Sequence, residues 1–128
     1  MKNSIKINMT PQEIKSIALK WFEAFNKHDL EMLLSLYDEN AIHFSPKLQI
    51  RQPETGGWIK GKDALRNWWG DSFERLPTLN YEVVKLIADD RCVFMEYIRR
   101  VNGEEDMRVG EVLEVENNLI VQSRVYHG

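Results

Sequence analysis

Apolar residues recur at helical spacing early in the chain: Ile14, Ile17, Ala18, Trp21 and Phe25 form one stripe, which Leu19 and Phe22 widen. Thr10-Pro11-Gln12-Glu13 stands before it, with a capping threonine, a proline at the first helical position and a glutamate at the third. The spacing therefore predicts a helix ending near Asn26-Lys27-His28. Asp29 caps a second, shorter helix whose buried side is Leu30, Leu33, Leu34 and Tyr37. Asp38-Glu39-Asn40 breaks the period, and Ala41-Ile42-His43-Phe44-Ser45 reads as a short strand closed by Pro46. Residues 47–60 contain Pro53, Gly56 and Gly57 without a clean period, which predicts a loop, and loops of that length often cover a site. Trp58 near its end is either a lid residue or an anchor pinning the loop to the body. Gly61-Lys62-Asp63-Ala64 opens a third helix running to Arg75, with Leu65, Trp68 or Trp69, and Phe73 inward; Pro77 stops it.

Beyond Pro77 the pattern is strand-like. Segments 81–88, 92–101, 107–115 and 119–126 are separated by turns at Asp89-Asp90, Asn102-Gly103 and Asn117-Asn118. Helices first and a long antiparallel meander afterwards predict a single α+β domain over residues 10–128, its helices packed on one face of a curved sheet. Residues 1–9 read as a tail or an extra edge strand.

The third of these strands carries the chemistry. Met107, Val109, Leu113 and Val115 share one face, and Glu111 sits among them, while Arg108, Gly110, Val112 and Glu114 make the wetter face. A carboxylate in an apolar row must take up a proton, find a partner or face a cavity, because desolvating it unpaired costs several kcal/mol. The alternative is that Val112 belongs to the buried face and Glu111 is solvated.

Composition narrows the function classes. The 128 residues are 29% charged and 43% hydrophobic, enough for one domain with a core of its own. A net charge of -3 leaves no basic footprint for nucleic acid. No apolar run reaches the length of a membrane span, and Met1-Lys2-Asn3-Ser4-Ile5 lacks the apolar core of a signal peptide, so the expectation is a cytoplasmic protein. Cys92, inside a strand, reads as a small buried hydrophobe rather than a nucleophile. No metal, P-loop or dinucleotide motif occurs, and no cofactor is expected.

The order of elements resembles the nuclear transport factor 2-like superfamily, and within it the SnoaL-like proteins and ketosteroid isomerases. The residues that carry the likeness are Trp21-Phe22-Glu23-Ala24-Phe25-Asn26, Asp29-Leu30, the stretch Ala41 to Pro46, and Gly61-Lys62-Asp63-Ala64-Leu65. It extends from about Pro11 to Tyr126. The resemblance implies a cystatin-like roll: a cone-shaped, curved antiparallel sheet, the three helices of the N-terminal half on its concave face, a pocket between them, and a homodimer through the sheet. Ketosteroid isomerases place a tyrosine on the first helix, a basic aspartate just before the proline and a protonated aspartate on the third long strand. Those positions fall at Trp21, Ser45 and Glu111. Only Glu111 keeps the acid, and an isomerase of that kind would lack its base. The arginine that epoxide hydrolases carry two residues before the acid falls on Val109. SnoaL-like cyclases use one acid in an apolar pocket, which Glu111 matches.

Strand parity and the resemblance together direct His43, Ser45, Trp69, Met95, Tyr97, Arg99, Glu111, Ser123, Val125 and His127 inward, with Trp21 from the first helix. An apolar, aromatic chamber with a few converging polar groups is the usual make-up of a small-molecule site. Glu111 could act as general acid or base if burial raises its pKa, with His43 or His127 as partner or second base and Tyr97 as a donor to a substrate oxygen. The bland reading of Glu111 is a structural pair with Arg99 or Tyr97. Two functions remain open: a cofactor-free isomerase, cyclase or hydrolase acting on a small hydrophobic, oxygenated molecule, and a non-catalytic ligand-binding or dimerisation module. Arg108, Arg124 and Tyr126 point to the convex face, where a dimer contact would lie.

Overall fold

The computed structural model describes residues 9–127, so the expected tail or edge strand lies outside the described residues except for Met9, which packs against the core. Helix α1 spans Pro11–Lys27 and opens as the sequence predicts. The Glu13 N–H donates to Thr10 Oγ1 at 3.1 Å, and the Thr10 N–H donates to Glu13 Oε1 at 2.8 Å. Ile14, Ile17, Ala18, Trp21, Phe22, Ala24 and Phe25 are buried along it, but Leu19 is 54% exposed and does not widen the stripe. The helix stops at His28 in the left-handed conformation, where the ring donates from Nε2 to the Leu79 carbonyl and stacks on Phe73. Asp29 caps α2, Leu30–Ser35.

Strand β1 runs Tyr37–Phe44 and is longer than predicted, because Tyr37 belongs to it and not to α2. The expected loop over 47–60 is instead structured: α3 at Pro46–Arg51, a single 3-10 turn at Pro53–Thr55, and β2 at Trp58–Lys60, antiparallel to β1. Ser45 Oγ caps α3 by accepting the Lys47 N–H, with Pro46 at the first helical position. A helix of six residues is too short to display a period. Helix α4 covers Lys62–Arg75 and buries Leu65, Trp68 and Trp69.

Strands β3 (Asn80–Ala88), β4 (Cys92–Arg100), β5 (Met107–Glu116) and β6 (Leu119–Tyr126) complete a six-stranded sheet of order β2-β1-β6-β5-β4-β3. The sheet is mixed rather than wholly antiparallel, since β1 pairs parallel to β6. Parallel neighbours need a long crossover, and everything between β1 and β6 supplies it. Register shifts at Val83/Lys85 and Glu114/Val115 bend the sheet. Asn117 and Asn118 both take positive φ in the β5–β6 turn, the conformation that matches strand twist in a tight hairpin. Cys92 is only half-buried, at the start of β4. Helix α1 crosses β3 and β4, and the core is formed where Trp21, Phe22 and Phe25 meet Tyr81 and Tyr97. No helix among the described residues is long and apolar enough to cross a membrane.

Candidate functional site

Alternation along β5 decides the inner face. Val109, Glu111, Leu113 and Val115 are each at most 4% exposed, and Glu111 itself is 1% exposed. Its strand neighbours are Met95 on β4 and Val125 on β6. Beside it opens a cavity of about 370 Å³, walled by β3–β6 on one side and by α3, α4 and Phe25 of α1 on the other. That volume falls within the range of small-molecule sites.

Glu111 accepts a hydrogen bond at Oε1 from the Tyr97 hydroxyl, 2.7 Å away. Its other oxygen, Oε2, is buried without a partner. Burial pushes the carboxyl pKa up to about 8, against which the Tyr97 bond pulls only partly. At neutral pH the group is therefore mostly a carboxylic acid. Oε1 is already an acceptor, so the proton belongs on Oε2. The Tyr97 hydroxyl is held well above its ordinary range by burial and by the charge of ionised Glu111, so it stays a donor.

A second polar group lies alongside, across β6. Trp21 Nε1 donates to Tyr37 Oη at 3.1 Å, and Tyr37 donates in turn to Ser123 Oγ at 3.0 Å. Ser123 Oγ and His43 Nδ1 are hydrogen-bonded at 2.6 Å. Burial lowers the His43 pKa to about 3, so the ring, edge-on to Trp69, is neutral.

Charge gathers at the mouth. Arg99 is 6% exposed and donates to Glu104 at 2.8 Å; Arg75 and Arg51 share Asp71 at 2.7 and 3.6 Å. Lys47 of α3 has no ion-pair partner among the described residues. Burial and then the Arg99 guanidinium push its pKa down. His127 Nε2 is buried without a partner, and burial followed by Lys47 and Arg99 keeps that imidazole neutral. Among the described residues no group of three or more potential ligands converges as a metal site would require.

The structure brings His43, Ser45, Trp69, Tyr97, Arg99, Glu111, Val125 and His127 to the cavity wall. Trp21, Met95 and Ser123 are 1%, 0% and 0% exposed and lie behind it. Trp21 is thus a hydrogen-bonding core residue, and Ser45 lends its hydroxyl to the α3 cap. Trp58 is not in the wall: it is 41% exposed on β2 and packs on Phe44, whose side chain faces away from the cavity side taken by His43. Arg99 pairs with Glu104 and not with Glu111. Neither histidine is bonded to the acid. Sequence reasoning missed Tyr37, which it placed on a helix, and Lys47, Arg51 and Arg75. The available signal for Lys47 and Arg51 was Ser45-Pro46, a cap followed by a first-position proline.

The sequence matches the model of the SnoaL-like domain over residues 18–123. Among solved structures it is similar to a SnoaL-like protein of unknown function from Burkholderia thailandensis, with a TM-score of 0.85, 22% identity, and coverage of 94% of this chain and 98% of that one. It is similar to a proposed ketosteroid isomerase from Kribbella flavida, with a TM-score of 0.75, 18% identity, and coverage of 92% and 79%. A proposed polyketide cyclase from Sinorhizobium meliloti gives a TM-score of 0.75 at 12% identity, with coverage of 92% and 100%. Identities this low establish a shared fold and not a shared reaction. The comparison with curated proteins finds no match.

Proposed function

The chain belongs to the SnoaL-like domain family, and from that premise we propose that its cavity binds a small, largely apolar, oxygenated molecule on which Glu111 acts as a cofactor-independent acid/base. The observation that carries this is the unpartnered, buried Oε2 of Glu111 beside the cavity. A native fold rarely leaves such an atom without a partner, so a molecule in the cavity is expected to bond it. A carboxylic acid kept neutral by an apolar site donates a proton or a hydrogen bond to a carbonyl oxygen. Tyr97 fixes Oε1, so the acid presents Oε2 in one orientation. The neutral His127, with its own unpartnered Nε2 in the same wall, would be the base for a carbon-bound proton. Acid and base on one cavity support enolisation, the common step of isomerisation and cyclisation. The relatives named as an isomerase and a cyclase are consistent with that class.

The test starts from a thermal-shift screen of cyclic ketones and phenols, since a ligand of the folded state raises the melting temperature by mass action. Carbonyl hits are then incubated in deuterium oxide, with proton NMR following exchange next to the carbonyl. Wild type should wash deuterium in, and Glu111→Gln should bind the same hits without exchanging them. Equal exchange by both proteins would remove Glu111 from the chemistry. Binding without exchange by either would favour the second function class, a non-catalytic binding module, which the lack of a carboxylate at Ser45 also supports.

The outer face supports pairing of two copies through the sheet. Ile87, Phe94, Val112 and Arg124 form one cross-strand row, with Ile87 57% and Phe94 38% exposed, and Tyr126, Phe44 and Trp58 extend the apolar surface. Sedimentation should give a dimer that Phe94→Lys disperses; a wild-type monomer at high concentration would refute the pairing.

A further inference from the structure

The cavity has one acid at its inner end and a cluster of cations at its mouth, in a chain whose net charge is -3. Lys47, Arg51, Arg75 and Arg99 all line it, and the only acidic side chains in the same wall are Glu104 and Glu111. Glu111 is mostly uncharged at neutral pH, because burial holds its proton on. Asp71 balances one of the two arginines it touches, and Glu104 balances Arg99. Lys47 is left over. Its ammonium is half-buried, unpaired, and set against Arg99, with Arg75 and Arg51 further off. Packing a cation among cations is unfavourable unless an anion joins them; burial first, and the Arg99 guanidinium after it, push the Lys47 pKa down.

Arg51 and Arg75 are exposed to solvent, whereas Lys47 and Arg99 are partly dry. Arg99 is 6% exposed and Lys47 is in the cavity wall rather than reaching into bulk water. In that setting charge attraction is screened far less than at an open surface. The same wall carries the apolar side chains of Trp68, Trp69, Leu79 and Val109.

We propose that the ligand is a carboxylate-bearing molecule, its carboxylate held at the mouth between Lys47 and Arg99 and its apolar, carbonyl-bearing body reaching inward to Glu111. This rests on the assignment of the cavity as a small-molecule site and adds the charge of what enters it. Arg99 offers a planar fork suited to a carboxylate, and Lys47 a mobile point charge.

The probes are matched pairs of acids and their primary amides: benzoate and benzamide, cinnamate and cinnamamide, 2-naphthoate and 2-naphthamide. Quenching of tryptophan fluorescence reports binding, since Trp68 and Trp69 form part of the wall. At least one acid should bind tenfold or more tightly than its amide. Raising salt should erode the difference. Lys47→Gln should reduce acid binding about tenfold and leave amide binding unchanged, with Lys47→Arg restoring it; both variants are checked for an unaltered melting temperature. Arg75→Gln is the second variant, with a smaller loss in the same direction. If amides bind as well as acids, or if Lys47→Gln weakens both alike, the anionic ligand is refuted while the small-molecule site stands. If neither acids, amides nor the ketones and phenols of the first screen bind at millimolar concentration, the site itself is refuted.

Discussion

Two buried polar groups sit side by side on the inner face of the sheet, and the fold treats them differently. In the first, Trp21, Tyr37, Ser123 and His43 are joined end to end by hydrogen bonds of 3.1, 3.0 and 2.6 Å. In the second, Glu111 has one bond, from Tyr97, and an oxygen with none. Both are dry, and burial has pushed both titratable members toward their neutral forms, His43 down to about 3 and Glu111 up to about 8. The difference is completeness. The first network ties α1, β1 and β6 together, its indole and two hydroxyls all partnered within it, and it reaches the cavity wall only through the His43 ring. A carboxylic acid with a free oxygen beside a cavity keeps an interaction that a molecule in that cavity can complete.

Several experiments break or sharpen that contrast. The largest effect expected is on proton transfer. Glu111→Gln should slow exchange of a bound carbonyl ligand by about 10²–10⁴-fold, the usual worth of a positioned acid or base. Removing the satisfied network by Ser123→Ala should leave the same exchange within a few-fold, measured at a temperature where the variant is folded.

Stability against pH comes next. A carboxyl whose folded pKa is raised above its unfolded value contributes stability that is complete below the unfolded pKa and is lost as pH rises through the folded one. For Glu111 the loss runs from about pH 4.5 to about pH 8. For His43, whose folded pKa is lowered, the contribution is complete above about pH 6.5 and is lost as pH falls toward about 3. Wild type should therefore weaken on both sides of weakly acidic pH. Glu111→Gln should remove the alkaline limb alone, and it should be the more stable protein at pH 9 by a few kcal/mol. Chemical denaturation at pH 6 and pH 9 measures this directly.

Tyr37→Phe comes third. It leaves Trp21 Nε1 buried without an acceptor and takes the donor from Ser123, so it should cost about 1–3 kcal/mol. Equilibrium unfolding reads it, and ligand affinity should be unaffected. A stable Tyr37→Phe protein would mean that the network is not holding the core. The smallest effect is expected at Trp58, which lies off the cavity: Trp58→Ala should leave ligand affinity within twofold, as titration of any hit from the screen would reveal.

Much of this was legible in the sequence where a period was long enough to read. The α1 stripe and its cap follow from spacing, and the alternation from Met107 to Val115, together with the family resemblance, favours Glu111 on the inner row, where the structure has it. Shorter elements were not legible. Tyr37 stands seven residues after Leu30, a helical repeat, yet the chain has already turned into β1, where Tyr37 pairs with Ile120. Residues 46–60 hold a helix, a 3-10 turn and a strand that are each too short to establish a period. The parallel pairing of β1 with β6 is a contact across most of the chain, which no local pattern encodes. Likeness to a family also misdirected one residue. Trp21 takes the position of a catalytic tyrosine in ketosteroid isomerases, but here its indole is spent on Tyr37 behind the wall. The cations at the mouth come from α3, α4 and β4, so only the folded chain gathers them.

The central claim is that one carboxyl in this protein keeps its proton at neutral pH because it is dry and half-partnered. Carbon-detected NMR of the glutamate carboxyl carbons, with Glu111→Gln to assign the resonance, measures that titration without any ligand. A midpoint near 8 for Glu111 is the predicted result. A midpoint in the ordinary carboxylate range, about 4.3, would mean that Glu111 is charged and solvated at neutral pH, and the proposed acid would be lost with it.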